Sequence, residues 1–393
     1  MHRAVATAAL LALALAMTAC VGCEREPAAP EASGDEGRPP PPPDWPMFRA
    51  TPDLRGAVAG HLPDALAMKW TFETGGPVVA SAAVKDGRVY VGSGDFKVYA
   101  LALATGKKIW ARATEGEIKA APLVLEGTVY VGSTDGRLYA LSAADGSVRW
   151  TYETDDQIAG APNAAPGPQG VADRILVGSY DFRLHCVDAR TGKALWTVET
   201  GNYINGTPAV ARGRAVFGGC DGLLHVIDLA EGRETGTIDA GAYVAASPAM
   251  ADGIVYAGSV QGRFLCADPS SGQVRWRYEP EEAEFFCSPA VGETAVFIGS
   301  RDRRVHAIDR ASGKARWTFA TRGEVDSAPV LVGEKVLFGS GDGRLYMVRT
   351  ADGRQVWAYD LGARVTASPA VAGRRVILGS EDGTVYCFGE AQQ

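Results

Sequence analysis

The chain has 393 residues, with 39 Lys or Arg against 46 Asp or Glu and a formal net charge of −7. That balance argues against nucleic acid as a partner, because a phosphate backbone is met by clustered cations. Its 48 glycines exceed what a helical enzyme needs and point to many tight turns.

Residues 1–19 read as a signal peptide: His2 and Arg3, an apolar run from Leu10 to Ala16, then Met17-Thr18-Ala19 as a small-residue cleavage region. The run is shorter than the roughly 20 apolar residues a permanent span needs. Cys20 follows directly, which resembles the bacterial lipoprotein pattern in which the cysteine takes lipid and becomes the mature N-terminus. Cys23 is the fallback site, and Val21 resembles the pattern sorted to the outer membrane. Residues 20–44 carry that cysteine and an acidic linker with five consecutive prolines, Pro39 to Pro43. This composition builds no core and acts as a solvated tether.

Residues 45–390 repeat. Similar segments end in Trp70, Trp110, Trp150, Trp196, Trp276, Trp317 and Trp357, and Gly236 stands where the series expects another. Between these marks come a Ser/Thr-Pro-Ala-Val segment, a Val-Tyr-Val-Gly-Ser segment, an Asp-Gly turn, a Leu-Tyr-Ala segment and a Thr-Gly-Lys turn. Four short period-two strands per unit, separated by Gly and Asp turns, predict an all-β propeller of four-stranded antiparallel blades. The Gly-Ser mark recurs at Gly92, Gly132, Gly178, Gly218, Gly258, Gly299, Gly339 and Gly379, so the expectation is eight blades. The last unit stops after Val385-Tyr386-Cys387-Phe388 and lacks an outer strand, and the extra strand around Trp70 supplies it, closing the ring and removing an open edge.

The turn aspartates at 95, 135, 181, 221, 302, 342 and 382 are read as turn caps rather than calcium ligands, since Gln261 replaces one of them. Cys186, Cys266 and Cys387 recur on third strands where other units have Ala, and read as small buried residues; Cys220 and Cys287 also read as free thiols. His185, His225 and His306 sit in separate blades, so no metal site is expected from them.

Segments such as Cys186-Val187-Asp188-Ala189-Arg190-Thr191-Gly192-Lys193-Ala194-Leu195-Trp196 and Ala307 to Trp317 resemble the tryptophan-docking repeats of the quinoprotein-like (PQQ-like repeat) propeller superfamily, and Asp44 to Arg49 resembles the lead-in that precedes them. One branch holds pyrroloquinoline-quinone alcohol and sugar dehydrogenases, with long insertions, a calcium site and often a disulfide between adjacent cysteines. The other holds the compact outer-membrane lipoprotein of the barrel-assembly machinery. This chain has no adjacent cysteines, and its single sizeable insertion runs from Ala165 to Ala172. The resemblance therefore implies a non-enzymatic, periplasmic, lipid-anchored scaffold at the outer membrane. Its implied partners are envelope proteins, either the barrel-assembly machinery or unfolded outer-membrane proteins, and no catalytic, metal-binding or cofactor-binding residue is assigned. The alternative is a PQQ-dependent alcohol or sugar dehydrogenase.

In a propeller, the segment entering each innermost strand and the turn between second and third strands share one face. Residues there without an evident repeat role are candidates for an interaction face: Lys119, Tyr203, Asn205, Tyr243, Phe285, Phe286, Asp326 and Arg364.

Overall fold

A computed structural model describes residues 44–167 and 169–391. The signal peptide, Cys20, Cys23 and the linker up to residue 43 lie outside the described residues. Among the described residues the chain forms eight sheets, seven built from four consecutive strands and the eighth from Ala370–Ala372, Arg375–Gly379 and Thr384–Glu390 with Leu66–Glu73. The expected closure holds: Leu66–Glu73 runs antiparallel to Thr384–Glu390, with Trp70 opposite Cys387.

Blade one shows why the repeat folds this way. Its strands are Ala83–Lys85, Arg88–Ser93, Lys97–Ala102 and Lys108–Ala113. The second and third are buried nearly end to end, whereas the fourth alternates exposed and covered positions, as an outer strand with one solvated face must. The first hairpin turns on Asp86 (φ 50°) and Gly87 (φ 71°), two left-handed residues in the geometry that suits tight hairpins. Full burial of a Val or Leu side chain contributes about 1.5–3 kcal/mol, so the second and third strands, with Val89, Val91, Val98 and Leu101, together supply most of the blade's apolar burial.

The Gly-Ser mark has a packing cause. The apolar residue at each lead-in covers the glycine of the preceding blade: Ile118 on Gly92, Ile158 on Gly132, Ile204 on Gly178, Val244 on Gly218, Phe285 on Gly258, Val325 on Gly299, Val365 on Gly339 and Val78 on Gly379. A Cβ on any of these glycines would collide with that side chain. Serine and threonine side chains then stitch the innermost strands together, with Ala161 N–H donating to Thr207 Oγ1 (3.1 Å), Thr207 N–H to Ser247 Oγ (2.8 Å) and Ala328 N–H to Ser368 Oγ (2.9 Å).

The lead-in before the repeats does more than precede them. It runs around the inside of the ring, bonding successive innermost strands: Trp45 with Val84, Val124 N–H to Pro46 O, Val210 N–H to Pro52 O, Met250 N–H to Asp53 O, Val291 N–H to Arg55 O and Leu331 N–H to Gly56 O. Ala57–Val58 ends this strap as a parallel fifth strand beside Val330–Val332. Arg49 (φ 63°) turns its fully buried guanidinium into the channel and donates to Pro329 O (2.5 Å) and Pro289 O (2.7 Å). Burial lowers its pKa to about 10, with the nearby Cys287 thiol pulling the other way, so it stays charged at neutral pH. The strap meets the first strands of blades one to seven near their turns into the second, and so lies across the end of the channel opposite the lead-ins, the closed end.

Candidate binding face

The open face is organised by a hydrogen bond that every blade repeats. The turn between second and third strands donates a backbone N–H to the lead-in of its own blade: Thr134 to Glu117 O, Tyr180 to Gln157 O, Cys220 to Tyr203 O, Val260 to Tyr243 O, Arg301 to Glu284 O and Glu381 to Arg364 O. The two segments expected to share a face are thus physically joined.

The turn aspartates act as caps, as expected. In all seven blades that have one, the carboxylate accepts the N–H two residues on, as Lys97 N–H to Asp95 (3.2 Å) and Arg137 N–H to Asp135 (2.9 Å) illustrate. Its other oxygen reaches a residue four positions along the third strand. That residue is Tyr99, Tyr139, Tyr346 or Tyr386 in four blades and His185, His225 or His306 in three. Where Gln261 replaces the aspartate, the partner position holds Leu265. The histidines are therefore buried hydrogen-bond relays. His185 takes Asp181 on Nε2 (3.0 Å) and Tyr152 of the preceding blade on Nδ1 (2.9 Å), and His306 links Asp302 and Tyr278 in the same way. Burial lowers the pKa of His185, against the opposing pull of Asp181.

The predicted face residues divide into two groups. Over blades three to five, Tyr203 is 41% and Tyr243 40% exposed. Tyr203 packs at a tilt on Tyr180 (ring centroids 4.8 Å, 33° between planes) and meets Phe182 edge-on (5.0 Å), a pair the sequence reading did not single out. Asn205 is half-buried and donates to the Cys220 Sγ (3.0 Å). Over blades six to eight the side chains are charged and paired. Arg301 lies over the Phe286 ring (3.5 Å to its centre) and holds Asp326 with two bonds of 3.0 and 3.2 Å. Arg364 reaches Glu324 (3.2 Å) and Glu381 (3.7 Å). Lys119, on blade two's lead-in, pairs with Glu117 (2.9 Å).

Phe285 corrects an expectation. It is fully buried, over Gly258 and against Phe264 (5.8 Å) and His306 (6.0 Å). It is blade six's version of the Ile or Val that covers the preceding glycine, and it offers nothing to a partner; the aligned apolar residue in every lead-in was the sequence signal for this.

At the channel mouth, Phe48 of the strap and small residues such as Ala120, Gly160 and Ala246 line a shallow depression of about 170 Å³, below the roughly 300–1,000 Å³ usual for ligand pockets. Asp326 is occupied by Arg301, and Cys287 is buried with its thiol pushed up to about 12 by burial. Among the described residues no three His, Cys, Asp or Glu side chains converge as metal ligands. The mouth does not fit the calcium–quinone arrangement of the dehydrogenase branch. Cys186, Cys266 and Cys387 are buried free thiols, each opposite a tryptophan on the neighbouring strand.

Eight compact four-stranded blades with docking tryptophans, a closed lower end and an open upper face define an eight-bladed propeller of PQQ-like repeats. Residues 67–166, 161–284 and 220–393 match the family described as outer membrane protein assembly factor BamB, and the chain belongs to that family. Among solved structures it is similar to BamB from Moraxella catarrhalis, at 21% identity over 84% of this chain and 99% of that one, with a TM-score of 0.71. It is also similar to the quinohemoprotein alcohol dehydrogenase from Comamonas testosteroni, at 16% identity over 89% and 81%, with a TM-score of 0.77. The computationally designed protein Ika8 matches at 18% identity over 81% and 98%, with a TM-score of 0.72. At these identities the likeness is one of fold. No curated protein sequence is significantly similar to this chain.

Proposed function

We propose that this chain is a non-enzymatic scaffold lipoprotein, exported by residues 1–19, anchored through Cys20 to the periplasmic face of the outer membrane, and engaged in the assembly of β-barrel outer-membrane proteins. The observation that carries this reading is the family match along residues 67–393. The short loops and shallow mouth support it, because a rigid disk without an enclosed volume positions partners better than it isolates chemistry. The partner is an envelope protein, either the barrel-assembly machinery or an unfolded outer-membrane protein. Tyr203 and Tyr243 supply aromatic anchors, joined by Phe286, while Lys119, Asn205, Asp326 and Arg364 set orientation.

The test is detergent extraction of native membranes and identification of co-purified proteins, comparing the parent with a Tyr203→Ala, Phe286→Ala, Arg364→Ala variant. Recovery of barrel-assembly components with the parent, lost in a variant that stays folded, is the expected result; recovery of only unrelated envelope proteins would reject the assembly role. The fold also matches a quinohemoprotein dehydrogenase, so pyrroloquinoline quinone and calcium added to purified protein provide a second check. No saturable binding and no alcohol- or sugar-dependent dye reduction are expected.

A further inference from the structure

Six of the outer-strand indoles lie against a turn glycine of the following blade: Trp70 on Gly106, Trp110 on Gly146, Trp150 on Gly192, Trp196 on Gly232, Trp276 on Gly313 and Trp317 on Gly353. In five of these grooves the indole Nε1–H also donates to a backbone carbonyl of that turn, at 2.8–3.1 Å, as in Trp70 to Leu103 O and Trp110 to Ala143 O. Those five grooves share a chemistry, a flat floor at a left-handed glycine and one carbonyl facing an aromatic N–H, whereas Trp196 keeps the glycine floor and its Nε1 finds no acceptor. Trp357, which is followed by the chain's last strand instead of such a turn, packs on Phe388 (5.6 Å).

The groove between blades four and five has this architecture without an occupant from the chain. Gly236 stands opposite Val226 just as Trp196 stands opposite Cys186, and a Cβ built on it meets no atom within 4 Å. Gly272 keeps the docking conformation (φ 71°), yet a Cβ there meets only Thr237 O, at 3.7 Å. The acceptor lies 33 residues beyond Trp70, Trp110 and Trp317, and the same step from Gly236 reaches Pro269, whose carbonyl takes no hydrogen bond among the described residues. Arg214 reaches Ser270 Oγ (2.8 Å) at the rim, where Arg88 flanks Trp110 in blade one, so it does not stand in for the indole. The outer strand Arg233–Asp239 is exposed along its length except at Ile238.

We infer that this groove is a receptor for a tryptophan side chain supplied by a partner protein. The occupant's chemistry is read from the filled grooves of the same ring. Its origin follows from the count: the chain has eight tryptophans, seven on outer strands and the eighth, Trp45, buried in the strap. Neither this chain nor a second copy has an indole to spare. The groove lies at the outer edge toward the closed end, several residues from the Tyr203–Tyr243 face, so it stands or falls independently of the proposed assembly role.

The test is a titration of isotope-labelled protein with N-acetyl-tryptophanamide, read by backbone amide shifts. Saturable shifts are expected at Thr237 and Ser270 to Gly272, with N-acetyl-phenylalaninamide, which has no ring N–H, binding at least threefold more weakly. Gly236→Trp fills the groove from within, so those shifts vanish while thermal stability rises. Gly236→Leu blocks the same space with a smaller side chain and should weaken binding as well. Absence of saturable shifts at these residues, or shifts unchanged in both filled variants, would overturn the assignment.

Discussion

The two ends of the channel are built on opposite terms. At the closed end a single strap threads past seven blades, most of its bonds run from backbone to backbone, and a buried arginine holds carbonyls of blades six and seven. At the open end the backbone is just as regular, but the side chains above it differ from blade to blade, aromatic over one sector and ion-paired over the other. A position whose contacts are fixed by neighbours on every side tolerates little change, and a position standing on a rigid turn is free to specialise. The closed end is therefore where substitutions should unfold the protein, and the open end where they should change the proposed binding.

That contrast breaks most sharply at Arg49. Arg49→Ala strips two buried carbonyls of their donor and leaves a void in the strap, so unfolding by denaturant should show a loss of roughly 2–4 kcal/mol. A loss below about 0.5 kcal/mol would mean the strap is decoration. Tyr203→Ala is the mirror experiment. Partner capture should fall at least tenfold, in line with a hot-spot aromatic at about 1.4 kcal/mol or more, while the thermal midpoint barely moves because the ring is exposed.

The relay histidines lie between these extremes. His185 has its pKa lowered by burial, so on acidification the unfolded chain takes up the proton first, below about pH 6.5. Stability is full above that value and declines as pH falls toward the folded-state pKa. Thermal melts between pH 7.5 and 5 should show this decline, and His185→Phe should flatten it, at some cost in overall stability from the unpaired Asp181 and Tyr152. The smallest effect is expected at Arg364. It is exposed and shared between two glutamates, so Arg364→Ala should change stability by less than about 0.5 kcal/mol and lower the rate and salt sensitivity of partner association instead.

The ring was legible in the sequence because its determinants are local and repeated: the Gly-Ser mark, the Asp-Gly turn and the docking tryptophan each recur within one blade length. The strap was not, although Asp44 to Arg49 was recognisable as a lead-in. Arg49 bonds to residues 240 and 280 positions away, and nothing in its neighbourhood announces them. Phe285 was misplaced because its aromatic character drew attention away from its register, which is that of Ile118 and Val244. The pairing of each turn aspartate with a Tyr or His four residues on was visible in principle, since Gln261 and Leu265 change together. Tyr180 and Phe182 stand on blade three's turn and meet Tyr203 of blade four's lead-in by ring contact, a meeting between blades that strand periodicity does not reveal.

We propose that the open face meets the barrel-assembly machinery. The most direct test is a photoreactive side chain placed singly at Tyr203, Tyr243 and Arg364, and at Arg190 in the turn between the third and fourth strands of blade three, on the opposite face, followed by irradiation of intact cells. Adducts with a barrel-assembly component from the first three positions and none from Arg190 are the predicted outcome. Adducts from Arg190 alone, or only with proteins outside that machinery, would contradict it.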